Sequence, residues 1–271
     1  MKIGIVAPSC RIDADVVDRV SALAEGRAEL VWHPQCFLSD GHFAGPDAVR
    51  ADALVEVAND PAIDAVWFAR GGYGACRIVD EVVERLGEEA RRKTYLGYSD
   101  GGTLLGALHA HGIGTVAHGP MPADIRRKGG EAAVIRALDW LVDGAGSSLE
   151  PSVGDAPAAA FNIVILAHLI GTPHLPDLAG HVLMIEEVAE YLYRTDRDLA
   201  QIVGHPSIRG AAGIRMGRIS DVPDNDPDFG AAPEAVVRDW CARAGIPFLG
   251  HADIGHDVDN KVVPFGRLPR A

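Results

Sequence analysis

Five short, mainly apolar runs, the first of them rich in β-branched residues, punctuate the first half of the chain at residues 2–7, 28–33, 65–69, 95–98 and 114–118. Between and after them lie stretches in which apolar residues recur three or four apart, at 13–24, 46–57, 76–86, 103–109 and 131–142. Runs this short and this continuously apolar suit strands covered on both faces, and helices joining such strands place them parallel in one sheet. The alternation therefore predicts an α/β fold. Its N-terminal domain, residues 1–142, is a doubly wound parallel sheet of flavodoxin or Rossmann type.

From residue 143 to 160 the composition turns to Gly, Ser, Pro and Ala without either periodicity, as in an interdomain linker. A smaller mixed α/β domain follows over 161–271, with helices at 163–169, 191–202 and 233–244 and strands at 181–186 and 213–219. The tail from Gly250 reads as a loop leading into a last strand. The chain shows no internal repeat.

Charge and composition narrow the function classes. Twenty-five Lys and Arg stand against 38 Asp and Glu, a formal net charge of −13, so no basic surface for nucleic acid is expected. An anionic substrate would need arginines close to the reacting centre, because the overall field repels it. No apolar stretch reaches the roughly 18 residues of a membrane span: the run at 161–170 is broken by Asn162 and His168. Residues 1–8 fit a first buried strand rather than a signal peptide. The four scattered cysteines, Cys10, Cys36, Cys76 and Cys241, form no CxxC pair, which suits reduced thiols in the cytoplasm and no structural zinc. A soluble, cytoplasmic chain is the expectation.

Gly97-Tyr98-Ser99-Asp100-Gly101 lies between an expected strand and an expected helix, the setting of a GxSxG nucleophile elbow with Ser99 at its tip. A helix N-cap formed by Ser99 or Asp100 is the plainer alternative. Arg70-Gly71-Gly72-Tyr73-Gly74 follows the third expected strand, so it shares the carboxyl edge of the sheet, where open α/β sheets gather ligands. A glycine-rich turn there can offer the N–H of Gly71 or Gly72 to an oxyanion, beside the amide of Asp100. The spacing is neither GxGxxG nor a Walker loop.

A serine nucleophile needs a base, and the base an orienting group. Among eleven histidines, His256 in the late loop and His118 at the end of the fifth expected strand both suit a cleft edge. Glu186 and Glu187 close an apolar run, so strand alternation sends one of them inward and the other away. The inward carboxylate can brace an imidazole, or can pair with Arg194 or Arg197. The alternation of His251, Asp253, His256, Asp257 and Asp259 also admits a metal reading, although no HExxH, P-loop or EF-hand pattern is present.

With these segments in view, the chain resembles the LD-carboxypeptidase family of serine peptidases, which includes the microcin immunity peptidases, over nearly its whole length. The matching residues are Ile3-Gly4-Ile5-Val6-Ala7-Pro8-Ser9, Phe43-Ala44-Gly45 through Arg50-Ala51-Asp52, the RGGYG block with Arg77, and Gly97-Tyr98-Ser99-Asp100. His118-Gly119-Pro120-Met121, Gly171-Thr172-Pro173, Tyr193-Arg194 and Asp196-Arg197 match as well. Leu183-Met184-Ile185-Glu186-Glu187 occupies the place of the family's LFLED segment, so the resemblance gives Glu186 the catalytic role and Glu187 the neighbouring acid's place. Residues 255–266 follow GHxxxNxxLPxG with Val263 in place of leucine, which prefers His256 over His118 as the catalytic histidine.

The resemblance further implies an active site between two domains, no metal or other cofactor, a homodimer, and a muropeptide as the small-peptide substrate. Ser99 is then the nucleophile of an LD-carboxypeptidase acting on murein tetrapeptides in peptidoglycan recycling, with the amides of Gly72 and Asp100 as oxyanion hole. Gly71, Tyr73, Arg70 and Arg77 are the expected substrate contacts, and Arg70, Arg77, Arg194 or Arg197 would grip the terminal carboxylate. A microcin-immunity-like peptidase is the main alternative, with Trp67 or Tyr73 as a nucleobase platform. An esterase of the α/β-hydrolase type and a non-catalytic muropeptide-binding protein complete the set. One departure stands out: Ala160-Phe161-Asn162 replaces the family's usual GGN.

Overall fold

A computed structural model of the chain describes residues 1–267; the last four residues of the expected second domain, 268–271, lie outside the described residues. The five expected strands form as β1 (Lys2–Val6), β2 (Glu29–Trp32), β3 (Ala65–Phe68), β4 (Thr94–Gly97) and β5 (Thr115–His118). They pair in the order β2-β1-β3-β4-β5, all parallel. The chain therefore changes winding direction beside β1, and the carboxyl ends of β3 and β4 open on the same edge of the sheet.

Both faces of this sheet are covered, which is why its strands are apolar without alternation. Helices α1 (Ala14–Ala24) and α5 (Gly130–Asp143) bring Val16, Val20, Val134 and Leu138 against Ile3, Ile5 and Trp67. On the other face α2 (Asp47–Asn59), α3 (Val79–Arg85) and α4 (Gly102–Ala110) set Leu54, Val82 and Leu104 against Val6, Val66 and Phe68. The helix expected at 76–86 is divided: Ala75–Arg77 is a separate 3₁₀ turn, fastened where the amide of Ala75 donates to the Asp100 carboxylate at 2.9 Å.

The second sheet comprises β6 (Ala158–Asn162), β7 (Val182–Val188), β8 (Gly213–Ser220) and β9 (Phe248–His251), in that order and all parallel. Its helices are α6 (Ile163–Leu169), α7 (Leu192–Gly204), the short α8 (Pro206–Arg209) and α9 (Pro233–Ala244). Two strands differ from the sequence reading. β9 falls where no strand is expected, and β6 falls across the end of the expected linker. A strand of Ala158-Ala159-Ala160-Phe161-Asn162 has weak intrinsic preference for extended structure, yet all five residues are buried. Pairing supplies what propensity lacks: β7 runs along one side of it, and Gly266 pairs with Ala158 on the other.

Late in the chain, β10 (Val263–Pro264) joins the first sheet antiparallel to β5, with Val263 opposite His118. Two residues later Gly266 exchanges both backbone hydrogen bonds with Ala158 of β6, at 3.0 and 2.8 Å. The last strand thus ties the two sheets together. A second junction lies between α4 and α6. A Cβ at Gly106 would stand 2.8 Å from Leu169 and 3.3 Å from Phe161, and one at Gly102 would stand 3.4 Å from Ile165. The two glycines, one helical turn apart, let α4 close on the second sheet's helix layer. Among the described residues, no helix is long and apolar enough to cross a membrane.

Candidate active site

Ser99 stands at the point where β4 ends and a 3₁₀ turn (Ser99–Gly101) leads into α4. Its φ is +58°, in the left-handed region that costs a residue with a Cβ and recurs at functional turns. The flanking glycines are steric necessities. A Cβ at Gly97 would stand 2.7 Å, and one at Gly101 3.0 Å, from Cδ2 of Phe68. Gly71, after β3, lies so close that a Cβ there would come within 3.0 Å of the Ser99 hydroxyl. Gly72 has φ +120° and packs on Cys10.

Asp100 points its side chain inward. It is buried and accepts from the Ser9 hydroxyl at 2.5 Å and the Ala75 amide at 2.9 Å, while burial raises its pKa against those bonds. The carboxylate is a strut between three loops. The Asp100 amide, at the first turn of a helix, has no acceptor within that helix.

Glu186 lies near the carboxyl end of β7 and is fully buried. His256, on the loop between β9 and β10, sets Nδ1 2.6 Å from the Glu186 carboxylate and Nε2 2.9 Å from the Ser99 hydroxyl. A carboxylate can only accept, so Nδ1 carries the proton and Nε2 is left to accept from the serine. Burial lowers the pKa of His256, but the adjacent Glu186 charge and its hydrogen bond outweigh that, and the net shift is upward. Glu186 thus pairs with the histidine, whereas Arg194 pairs with Glu190 and Arg197 lies over the Tyr193 ring.

Glu187 faces the opposite side of β7, but it does not escape burial as strand alternation suggests, because α6 covers that side. It accepts from Asn162 Nδ2 at 2.7 Å and from the amides of Val164 and Val188, each at 2.9 Å. Burial nevertheless pushes its pKa up to about 7. Asn162 also caps α6 through the Ile165 amide, so the asparagine of the unusual Ala160-Phe161-Asn162 segment is fully employed.

His118 is displaced from the reacting geometry. Its Nε2 lies 3.0 Å from Oδ1 of Asn260, and that oxygen also accepts from the Gly255 amide at 3.2 Å. The rival histidine therefore buttresses the loop that carries His256, and burial lowers its pKa. From the far side Arg218 of β8 holds the same loop through Asp253 at 2.6 Å and through Asp257. His251 stands 3.5 Å from Glu234 instead. The His and Asp series is thus spread over separate partners, and among the described residues no group of three or more His, Cys, Asp or Glu could hold a metal ion.

The Ser99 hydroxyl opens into a cleft of about 350 Å³ lined by Gly71, Gly72, Met121, His256 and three arginines, Arg70, Arg126 and Arg127. Tyr98 forms part of its wall, with its ring 4.9 Å from that of His256 and its hydroxyl donating to Asp124 at 2.8 Å. Two expected substrate contacts lie elsewhere. Arg77 is taken up by a two-pronged pair with Asp47, and Tyr73, 49% exposed, rests against Phe43 outside the cleft. Trp67 is fully buried and donates to the Pro120 carbonyl at 2.8 Å, so it offers no platform. Sequence reasoning missed Tyr98, Asp124, Arg126 and Arg127. The signal for Tyr98 is its place beside Ser99; for the other three it is that the segment following His118-Gly119-Pro120-Met121 leaves the carboxyl end of β5, on the same sheet edge as Ser99.

Comparison with known proteins now has a geometry to meet. Residues 3–119 match the profile of the LD-carboxypeptidase N-terminal domain, and residues 157–269 that of the LD-carboxypeptidase C-terminal domain. The chain belongs to the LD-carboxypeptidase family. Within what is known of LD-carboxypeptidases, it is 25% identical over 287 residues to the murein tetrapeptide carboxypeptidase of Pseudomonas aeruginosa, covering 98% of this chain and 91% of that one. Two solved structures share the fold. The muramoyltetrapeptide carboxypeptidase of Oxalobacter formigenes superposes with a TM-score of 0.80 at 23% identity, over 98% of this chain and 93% of its own. MccF in complex with glutamyl sulfamoyl guanosine does so with a TM-score of 0.77 at 15% identity, over 98% and 96%. The LD-carboxypeptidase family makes this chain a peptidase by descent, and the residues around Ser99 bear on what kind.

Proposed function

We propose that this chain is a serine-type LD-carboxypeptidase that releases the terminal D-alanine from murein tetrapeptides. The reading rests on the unbroken hydrogen-bonded series Ser99, His256, Glu186 opening into a cleft with three arginines. Ser99 Oγ attacks the carbonyl carbon of the peptide bond while His256 Nε2 takes its proton; the resulting imidazolium is stabilised by the buried Glu186 carboxylate. The carbonyl oxygen becomes an oxyanion, received by the amides of Gly72 and Asp100. His256 then gives its proton to the departing amine, the C–N bond breaks and D-alanine leaves. Water, deprotonated by the same imidazole, hydrolyses the acyl-Ser99 ester and restores the hydroxyl. The name of the Pseudomonas aeruginosa relative supports the choice of substrate.

The likeness to MccF keeps a second substrate class in the test, since that protein is known with an aminoacyl sulfamoyl nucleoside. Murein tripeptide, tetrapeptide and pentapeptide, together with an aminoacyl nucleoside conjugate, are incubated with the chain and the products weighed by mass spectrometry. Tetrapeptide converted to tripeptide is expected, and Ser99→Ala should lower turnover by roughly 10⁴- to 10⁶-fold. An active Ser99→Ala protein, or release from the conjugate alone, overturns the proposal. As parts of the same proposal, the chain acts in the cytoplasm as a homodimer.

A further inference from the structure

A carboxypeptidase must distinguish a chain end from a chain middle, and in a molecule of net charge −13 a substrate carboxylate is held only where a positive group is locally unopposed. Three guanidinium groups line the cleft, and their partners separate them. Arg126 is engaged by Asp13 at 2.7 Å and also by Asp15. Arg127 is engaged by Asp124 at 3.0 Å, whose other contacts fix it in turn to Tyr98 and the Met121 amide. Arg70 alone has no carboxylate partner among the described residues; its one hydrogen bond goes to the Arg11 carbonyl, at 3.3 Å.

Position singles out the same residue. Arg70 immediately precedes Gly71, whose backbone packs on Ser99 so closely that a side-chain carbon there would meet the hydroxyl at 3.0 Å. In a substrate whose last residue is the leaving group, the terminal carboxylate is joined to the scissile carbonyl through only a nitrogen and one Cα. It therefore lies within about 4 Å of the carbon that Ser99 attacks. A receptor for it must root beside the nucleophile, and Arg70 does. The other arginines expected from the sequence do not line the cleft, Arg77 being paired with Asp47 and Arg194 with Glu190.

We infer that Arg70 is the specificity residue that binds the free terminal carboxylate of the substrate in a two-pronged, charge-assisted grip. The inference deepens the proposed function and rests on it. When the carboxylate is bound, its position relative to Gly71 places the last peptide bond, and no earlier one, over Ser99. Cleavage is thereby limited to a single terminal residue.

The test compares a murein tetrapeptide with its C-terminal amide on the wild-type chain, Arg70→Ala and Arg70→Lys, measuring kcat and KM separately. Wild type should favour the acid by roughly 10- to 100-fold in kcat/KM, the range of a charge-assisted pair. Arg70→Ala should lose that preference by slowing far more on the acid than on the amide, and Arg70→Lys, with charge but no fork, should recover part of it. An Arg70→Ala protein that retains the full preference overturns the inference and leaves the proposed function standing. Equal losses on acid and amide also overturn it, since they mark a structural role. A wild-type chain that cleaves neither peptide overturns the proposed function, and this inference with it.

Discussion

A buried imidazole between a hydroxyl and a carboxylate has a defined electrical problem. Burial disfavours its charged form, yet proton transfer from Ser99 requires that form to appear, and the Glu186 charge reverses the balance so that the net shift of His256 is upward. The proposed mechanism needs Nε2 unprotonated, so kcat/KM should rise with pH through a raised pKa. Glu186→Gln removes the charge that raises it and can present the wrong hydrogen-bonding partner to Nδ1. We expect turnover to fall by roughly 10⁴-fold and the acid limb of the residual pH profile to move to lower pH. A profile whose acid limb stays in place would show that Glu186 does not set the titration of His256. The same scale explains why the elbow was legible: glycines flank Ser99 in the sequence itself, although the Phe68 ring that excludes a Cβ there belongs to the neighbouring strand β3. Arg77 and Tyr73 lie outside the cleft because sequence proximity to Arg70 says nothing of side-chain direction, which the contacts with Asp47 and Phe43 set.

Strand β7 carries two adjacent carboxyl groups into opposite layers, Glu186 toward His256 and Glu187 toward the start of α6. Three donors favour an ionised Glu187, but its burial prevails and holds the pKa near 7. A native pKa above the unfolded value means that the folded state binds the proton more tightly. The resulting contribution to stability is fully present below about pH 4.5 and is lost as pH rises toward about 7, amounting to about 3 kcal/mol. Glu187→Gln should therefore flatten the decline of stability between pH 5 and 7.5, measured as urea midpoints across that range. An unchanged slope would place the Glu187 titration outside this window. Elements with strong local signals, such as β1 and β3, were legible at this scale, whereas the alanine strand β6 was not. Its extended form is imposed by Ala158 pairing with Gly266, a partner more than a hundred residues away in sequence.

At the scale of the whole molecule, two junctions set the first sheet against the second. Ser99 rides on the start of α4, and α4 meets α6 through Gly102 and Gly106, while β10 pairs with β5 and hands Gly266 to β6. Gly106→Val would drive methyl groups into Leu169 and Phe161. Overpacking of this kind costs about 1–3 kcal/mol, more than the modest helix preference valine has over glycine. We expect a lower urea midpoint and slower turnover, with little change in KM, since the cleft arginines all belong to the first sheet's loops. A variant as stable and as fast as wild type would show that the junction yields without moving Ser99 relative to His256.

Local physics determined the first layer of this protein. Apolar runs between amphipathic stretches commit the chain to a parallel sheet, and glycines around Ser99 commit one turn to an elbow, because both follow from backbone sterics and burial within a few residues. Which of eleven histidines faces that serine is not a local matter: His256 lies 157 positions from Ser99, and His118, closer in sequence, is diverted to Asn260. Residue chemistry leaves both histidines possible, and only resemblance to a family preferred one before the fold was known. Tertiary structure sets His256 rather than His118 against Ser99, and among the described residues it leaves Arg70 without a carboxylate partner while occupying Arg126 and Arg127, because charge pairing and packing depend on distances that the order of residues does not contain.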